Sequence, residues 1–226
     1  MNYDKKPNIV AISDFMRQYT IQYFNQRGYD VRCEYVHNGI DLDKYPFDPN
    51  IKKTNRLLYV GRFSKFKRPH IAIEVAKRSN LPIDLVGGTF VDDINYLKEI
   101  EAMCNGDNIV IYKDVDHNFK IKKMQEAKCL IFPSKMGEPL GLVAQEAMAC
   151  GTPVIATRDG AISEVVLHNK TGFVCDTEDQ MVESIKFIDK ITSSDCRKHV
   201  EENFSRQKMA KEYEKLAFKV MRGEDW

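Results

Sequence analysis

The chain has 226 residues, 43% of them hydrophobic and 30% charged, and its 34 basic and 33 acidic side chains leave a formal net charge of +1. That length holds one large domain, or one domain with a fragment, and so even a balance of charge gives no general affinity for polyanions, so nucleic acid is not an expected partner. No apolar run is long enough to span a bilayer and no signal-peptide pattern is present. The six cysteines (33, 104, 129, 150, 175 and 196) include no C-x-x-C pair and the five histidines are dispersed, so no metal site is expected. Cys129, Cys150 and Cys175 lie in or beside apolar segments and read as small core residues of a reduced, cytoplasmic protein.

In chain order, NIVAIS and a helix from Asp14 to Gln26 form one strand–helix unit, followed by RCEYVHNGIDL. From residue 55 strands alternate with helices. RLLYV precedes a helix from Pro69 to Arg78, and IDLVG a helix from about Asp92 to Cys104. NIVIY leads to a helix near Phe119 to Ala127, and CLIF to a loop and the helix LVAQEAMA, which Gly151 and Pro153 end. PVIAT precedes a helix after Ser163, and GFVC a helix around Met181 to Asp189. Six such units predict an α/β fold: a doubly wound, Rossmann-like parallel sheet with helices on both faces. The tail FSRQKMAKEYEKLAFKV reads as an amphipathic helix with Met209, Tyr213, Leu216 and Val220 at helical spacing.

Two segments carry chemistry. In GEPLGLVAQEAMACGTPVIA, residues 137–156, Glu138 falls in the loop before a helix and Glu146 about one turn inside it. Between them Gly141 opens the helix, whose first N–H groups and positive dipole end suit an anion. Carboxylates bind sugar hydroxyls and a helix N-terminus binds phosphate, so the pair suits a nucleotide sugar. In the second segment, Gly61, Arg62 and Phe63 follow the strand Arg56–Val60 at its carboxyl end, where open α/β sheets bind ligands. Arg62 and Lys67 there suit the oxygens of a diphosphate.

The strings E-P-L-G and E-A-M-A-C-G-T-P-V-I-A resemble the donor-site signature of the retaining glycosyltransferases of family four, which have the GT-B fold. The family's G-R-L-x-x-x-K-G appears here as G-R-F-S-K-F-K-R: Lys67 is the aligned lysine and Arg68 stands in place of glycine, which leaves Lys65, Lys67 and Arg68 as candidates for the phosphate contact. The resemblance implies that residues 46–205 are a C-terminal, donor-binding domain, that 1–45 are the end of an N-terminal acceptor-binding domain with its N-G-[IV]-D turn, and that 206–226 are a terminal helix crossing back. It implies transfer of a hexosyl group, with retention, from a nucleotide diphosphate sugar to a glycan or lipid-linked acceptor. By that similarity Glu138 meets the donor sugar, and Glu146 the ribose. The N–H groups of Gly141, Leu142 and Val143 meet the phosphates, and Arg62 and Lys67, with Gly61 beside them, neutralise the leaving diphosphate.

The family's glycine-rich loop and histidine of the first half are absent, so the acceptor half belongs to a longer polypeptide or to a second chain. The alternatives are a non-catalytic donor-binding subunit, or a related GT-B sugar epimerase. Other signals are set aside. Asp114-Val115-Asp116 spells the D-x-D metal motif of a different fold and reads here as a solvated turn; neither G-x-G-x-x-G nor the P-loop pattern occurs. Gly87 and Gly88 suit either a close approach to ligand or a plain strand-end turn. Lys120, Lys122 and Lys123 read as a solvated helix face, so any membrane contact is peripheral, at the cytoplasmic side.

Overall fold

A computed structural model describes residues 7–224, so residues 1–6 of the expected first unit and 225–226 of the terminal segment lie outside the described residues. The main sheet contains β3 (Leu57–Val60), β4 (Ile83–Gly87), β5 (Ile109–Lys113), β6 (Cys129–Phe132), β7 (Val154–Thr157) and β8 (Gly172–Cys175). Its order is β5-β4-β3-β6-β7-β8 and every pairing is parallel. This is the doubly wound order of the Rossmann fold.

The central strands are apolar at successive positions because both faces are covered. Leu58, Val60, Leu130 and Val154 face a core closed by α4 (His117–Glu126), α5 (Leu142–Ala149) and α8 (Ser193–Asn203). Leu57, Tyr59, Ile131 and Ile155 face the opposite core, under α2 (Pro69–Arg78), α3 (Ile94–Met103) and α7 (Glu178–Ile185). Side-chain caps set the helix starts: Asp93 accepts from the N–H groups of Asn95 and Tyr96, and Asp116 from that of Phe119, which moves α4 two residues earlier than hydrophobic spacing places it. α8 is absent from the sequence reading, because only Cys196 and Val200 of its 11 residues are buried and its apolar stripe is too thin to register. The helix after Ser163 is a short turn, α6 (Ile162–Val165).

A second sheet of two parallel strands, β1 (Asn8–Ala11) and β2 (Arg32–Tyr35), is joined through α1 (Asp14–Asn25). The N-G-I-D segment that follows pairs with the junction of α8 and α9 (Arg206–Met221): the Ile40 N–H donates to the Phe204 carbonyl at 2.8 Å, and the Arg206 N–H donates back to the Ile40 carbonyl at 3.0 Å. A Cβ at Gly39 would lie 2.4 Å from the Ser205 carbonyl oxygen, so the glycine is required for that approach. Of the stripe expected on α9 only Leu216 is buried, while Tyr213 and Val220 stand exposed.

Beneath the sheet, Lys53 donates to the Gln125 carbonyl at 2.8 Å and to Thr152 Oγ1 at 2.7 Å. Burial without a carboxylate partner lowers its pKa from 10.5 to about 8. The unfolded chain keeps that proton up to about pH 10.5, so between the two values the unfolded state binds more protons and this residue's contribution to stability rises with pH, by about 1.4 kcal/mol per unit. Urea unfolding at pH 7.5 and 9.5 should therefore move the stability difference between the wild type and Lys53→Met in the wild type's favour by about 1–2 kcal/mol; a constant difference would mean that the ammonium is solvated.

Candidate active site

β3 and β6 lie side by side at the middle of the sheet, and the chain leaves β3 towards β4 but β6 towards β7. The loops at their carboxyl ends therefore part and leave a crevice. Two backbone segments line it, 61–68 and 133–141, and they are tied where Lys135 donates to the Phe66 carbonyl at 3.0 Å.

Glu138 is buried, 7% exposed, and such a carboxylate needs partners to remain charged. Lys67 Nζ lies 2.5 Å from Glu138 Oε2, and Ser134 Oγ donates to the same oxygen at 3.0 Å. The loop itself is held by Asp159, whose Oδ2 accepts the consecutive N–H groups of Met136, Gly137 and Glu138 at 2.8, 2.7 and 3.0 Å. Beside it Gly160, at φ +56°, lets the backbones touch: a Cβ there would sit 2.3 Å from the Glu138 carbonyl oxygen. Sequence reasoning missed Ser134, Asp159 and Gly160. An acid followed by glycine just past the strand β7 was the available signal.

The structure separates Lys65, Lys67 and Arg68 of the first loop. Lys65 is exposed and pairs with Asp93 at 3.0 Å. Arg68 Nη2 lies 2.7 Å from Glu178 Oε1, tying the start of α2 to α7. Only Lys67 reaches Glu138. Arg68 has φ +52°, a left-handed conformation that costs most residues about 1–2 kcal/mol and glycine almost nothing, which is a physical reason for glycine in the related pattern. Arg62 is exposed on the rim, 3.7 Å from Asp92, with its carbonyl fixed by a 2.7 Å bond from the Tyr59 hydroxyl. Gly61 donates to the Val86 carbonyl and faces a pocket of about 380 Å³.

α5 begins at Gly141 (φ +95°) with no side-chain cap, and Leu142 at its first turn is exposed while Val143 is half-buried. Such an N-terminus presents N–H groups and positive dipole to an anion. Glu146, a turn further on, accepts from the Tyr45 hydroxyl at 2.7 Å and pairs with Lys120 Nζ at 2.8 Å. Burial and the Glu146 carboxylate both push the Tyr45 hydroxyl well above its ordinary pKa, so it stays a proton donor. Lys120 also lines the pocket, with Gly61, Gly87, Gly88, Asp114, Val115 and His117, so the pocket, Glu146 and Lys67 occupy one edge of the sheet.

One expectation changes. Lys120, Lys122 and Lys123 are not one solvated face: Lys120 holds Glu146, Lys123 lies 2.8 Å from the buried Asp84, and only Lys122 is exposed. Gly87 serves packing, since a Cβ there would lie 2.3 Å from the Gly61 carbonyl oxygen. Asp114 accepts from the Thr89 amide at 2.9 Å and Asp116 caps α4, so both acids of the D-x-D string have structural partners. Among the described residues no group of three His, Cys, Asp or Glu side chains could hold a metal ion, and no helix is long and apolar enough to cross a membrane.

The family model described as glycosyl transferases group 1 matches residues 41–211. The chain belongs to this family. YtcC of Bacillus subtilis strain 168, which carries a glycosyltransferase name, is 29% identical over 237 aligned positions, covering 89% of this chain and 58% of YtcC. Among solved structures, the AviGT4 glycosyltransferase of avilamycin A biosynthesis superposes with a TM-score of 0.77 at 20% identity, covering 96% of this chain and 65% of that one. HepE of Anabaena, solved with UDP-glucose, gives 0.71 at 20% identity, over 91% of this chain and 62% of HepE. Those likenesses establish the fold, that of GT-B glycosyltransferases. The group 1 chain thus spans between half and two thirds of the length of these relatives.

Asp159 offers a direct check of how the loop is held. Replacing it with alanine removes three charge-assisted bonds and should cost about 2 kcal/mol, or a Tm lower by roughly 4–8 °C by calorimetry. An unchanged Tm would mean that the loop keeps its shape without the carboxylate.

Proposed function

We propose that this group 1 glycosyltransferase chain is the nucleotide-sugar-binding half of a retaining GT-B enzyme of family four, which transfers a hexosyl group from a nucleotide diphosphate sugar to a glycan or lipid-linked acceptor. The observation that carries the reading is the Lys67–Glu138 pair at the β3/β6 crossover, beside the uncapped start of α5. A cation, a carboxylate and a helix N-terminus within one crevice match the three parts of such a donor.

In this reading the diphosphate lies against the N–H groups of Gly141, Leu142 and Val143, with Lys67 and Arg62 supplying positive charge. As the glycosidic bond breaks, negative charge grows on the departing diphosphate, and these fixed cations and dipoles stabilise it without the reorganisation that water requires. Glu138, held in place by Ser134 and Lys67, accepts hydrogen bonds from sugar hydroxyls. Glu146 accepts from the ribose hydroxyls while Tyr45 and Lys120 keep its carboxylate oriented. The base occupies the pocket of about 380 Å³ lined by Asp114 and Val115. The mechanism needs no metal cofactor, because lysine, arginine and the helix dipole provide the charge. The acceptor site belongs to a further N-terminal half, in a longer polypeptide or a partner chain.

Thermal unfolding with UDP, GDP, ADP and their glucose conjugates tests this, UDP-glucose first because HepE was solved with it. A ligand at 100 times its Kd stabilises by about 2.7 kcal/mol, a rise of roughly 5–10 °C for a domain of this size. The expected result is a rise for one diphosphate and its conjugate that Glu146→Ala abolishes. Arg62→Ala and Lys67→Ala should each weaken the diphosphate about tenfold, the equivalent of about 1.4 kcal/mol. Unchanged diphosphate affinity in both variants would overturn the site assignment.

A further inference from the structure

The first turn of α1 lies against the loop that carries Glu138. Ser13, fully buried, donates through Oγ to the Pro139 carbonyl at 2.6 Å. Two residues earlier, a Cβ built at Gly137 would lie 3.5 Å from the Phe15 ring, ordinary contact distance. The opposite side of the same turn is held by Asp159, Gly160 and Ala161, the last donating to the Glu138 carbonyl at 2.8 Å. The Gly137–Pro139 turn is therefore clamped between two segments more than a hundred residues apart in sequence.

One carboxylate keeps α1 there. Glu164, on α6 just past Ala161, accepts the N–H of Phe15 through Oε1 and that of Asp14 through Oε2, both at 2.9 Å. Its Oε2 also lies 2.8 Å from His37 Nε2, on the segment that follows β2. Met16 donates to Ser13 Oγ and Arg17 to the Ser13 carbonyl, so all four leading N–H groups of α1 are satisfied, two of them from the other side of the contact. A carboxylate facing a helix N-terminus also gains from the dipole. The small two-stranded unit, which is marginal as a free element, is thus fastened just past the carboxyl ends of both its strands to one side chain of the larger domain.

We propose that Glu164 is a positioning residue for Glu138: by holding the start of α1 and His37 together it presses the Ser13–Phe15 turn onto Gly137–Pro139 and fixes where the Glu138 carboxylate stands. The role assigned to Glu138 rests on the function proposed above; the coupling between α1 and the loop does not.

Two measurements on the full chain test it. Hydrogen exchange without ligand should show slow amides at Asp14, Phe15 and 136–138 in the wild type. In Glu164→Ala both groups should exchange at least about tenfold faster, with the β3 and β6 amides unchanged to show that the fold persists. Glu164→Gln, which keeps one acceptor oxygen, should fall between, and Ser13→Ala should loosen 136–138 while leaving Asp14 and Phe15 nearly as protected. Faster exchange confined to Asp14 and Phe15 would overturn the proposal. In the second measurement, titration with UDP and UDP-glucose, Glu164→Ala should weaken UDP-glucose by about tenfold and UDP by less than about twofold. Equal loss for both would also overturn it. If the wild type binds neither compound, the function proposed above fails while the exchange result still decides the coupling.

Discussion

Because β3 and β6 are neighbours in space while the chain departs from them in opposite directions, no connection covers their carboxyl ends. Everything at the candidate site follows from that gap. The two loops that border it supply opposite charges, Lys67 from one and Glu138 from the other, and each makes the burial of its partner tolerable. A carboxylate 7% exposed would be expensive alone; with an ammonium at 2.5 Å and a serine hydroxyl at 3.0 Å it is an ordinary member of a polar cluster. The ion pair therefore belongs to the stability of the crevice as much as to its chemistry.

The helix N-termini near this edge are treated differently. The start of α1 is closed by Ser13 and by the Glu164 carboxylate, the starts of α3 and α4 by Asp93 and Asp116. α5 starts on a glycine with no side chain turned back over it, and α2 also lacks a side-chain cap but begins with Pro69, which has no N–H to satisfy. A glycine at the start of α5 leaves the end less stable than a serine or aspartate cap would, by about a few tenths of a kcal/mol. Under the proposed function this open end receives the donor's diphosphate, where a cap would occupy the same place.

Much of the fold was legible in the sequence, and for a specific reason. Strands such as LLYV, CLIF and VIAT are apolar at successive positions because a parallel sheet is buried on both faces, so a run of that kind between helical stretches has few other readings. The caps were less visible: Asp93 and Asp116 shifted the starts of α3 and α4 because a side chain-to-backbone bond, not hydrophobic spacing, sets a helix end. α8 escaped because two buried residues in a charged helix leave no period to detect. At the site, Glu138, Glu146, Gly141 and Lys67 stood out through the family-like strings that carry them, after the strands β3 and β6. Ser134, Asp159, Tyr45 and Lys120 did not, since each acts through a contact between segments that local pattern does not connect.

The sequence by itself determined the parallel sheet, its carboxyl edge and the residue types gathered there, because burial and backbone hydrogen bonding are local consequences of composition and order. Tertiary structure alone decided which cation of Lys65, Lys67 and Arg68 meets Glu138. The reason is a backbone one: the left-handed turn at Arg68 sends its guanidinium to Glu178, Lys65 falls to Asp93, and Lys67 is left pointing across the crossover. Three like charges in four residues are interchangeable in a string of letters and become distinct only when the chain turns.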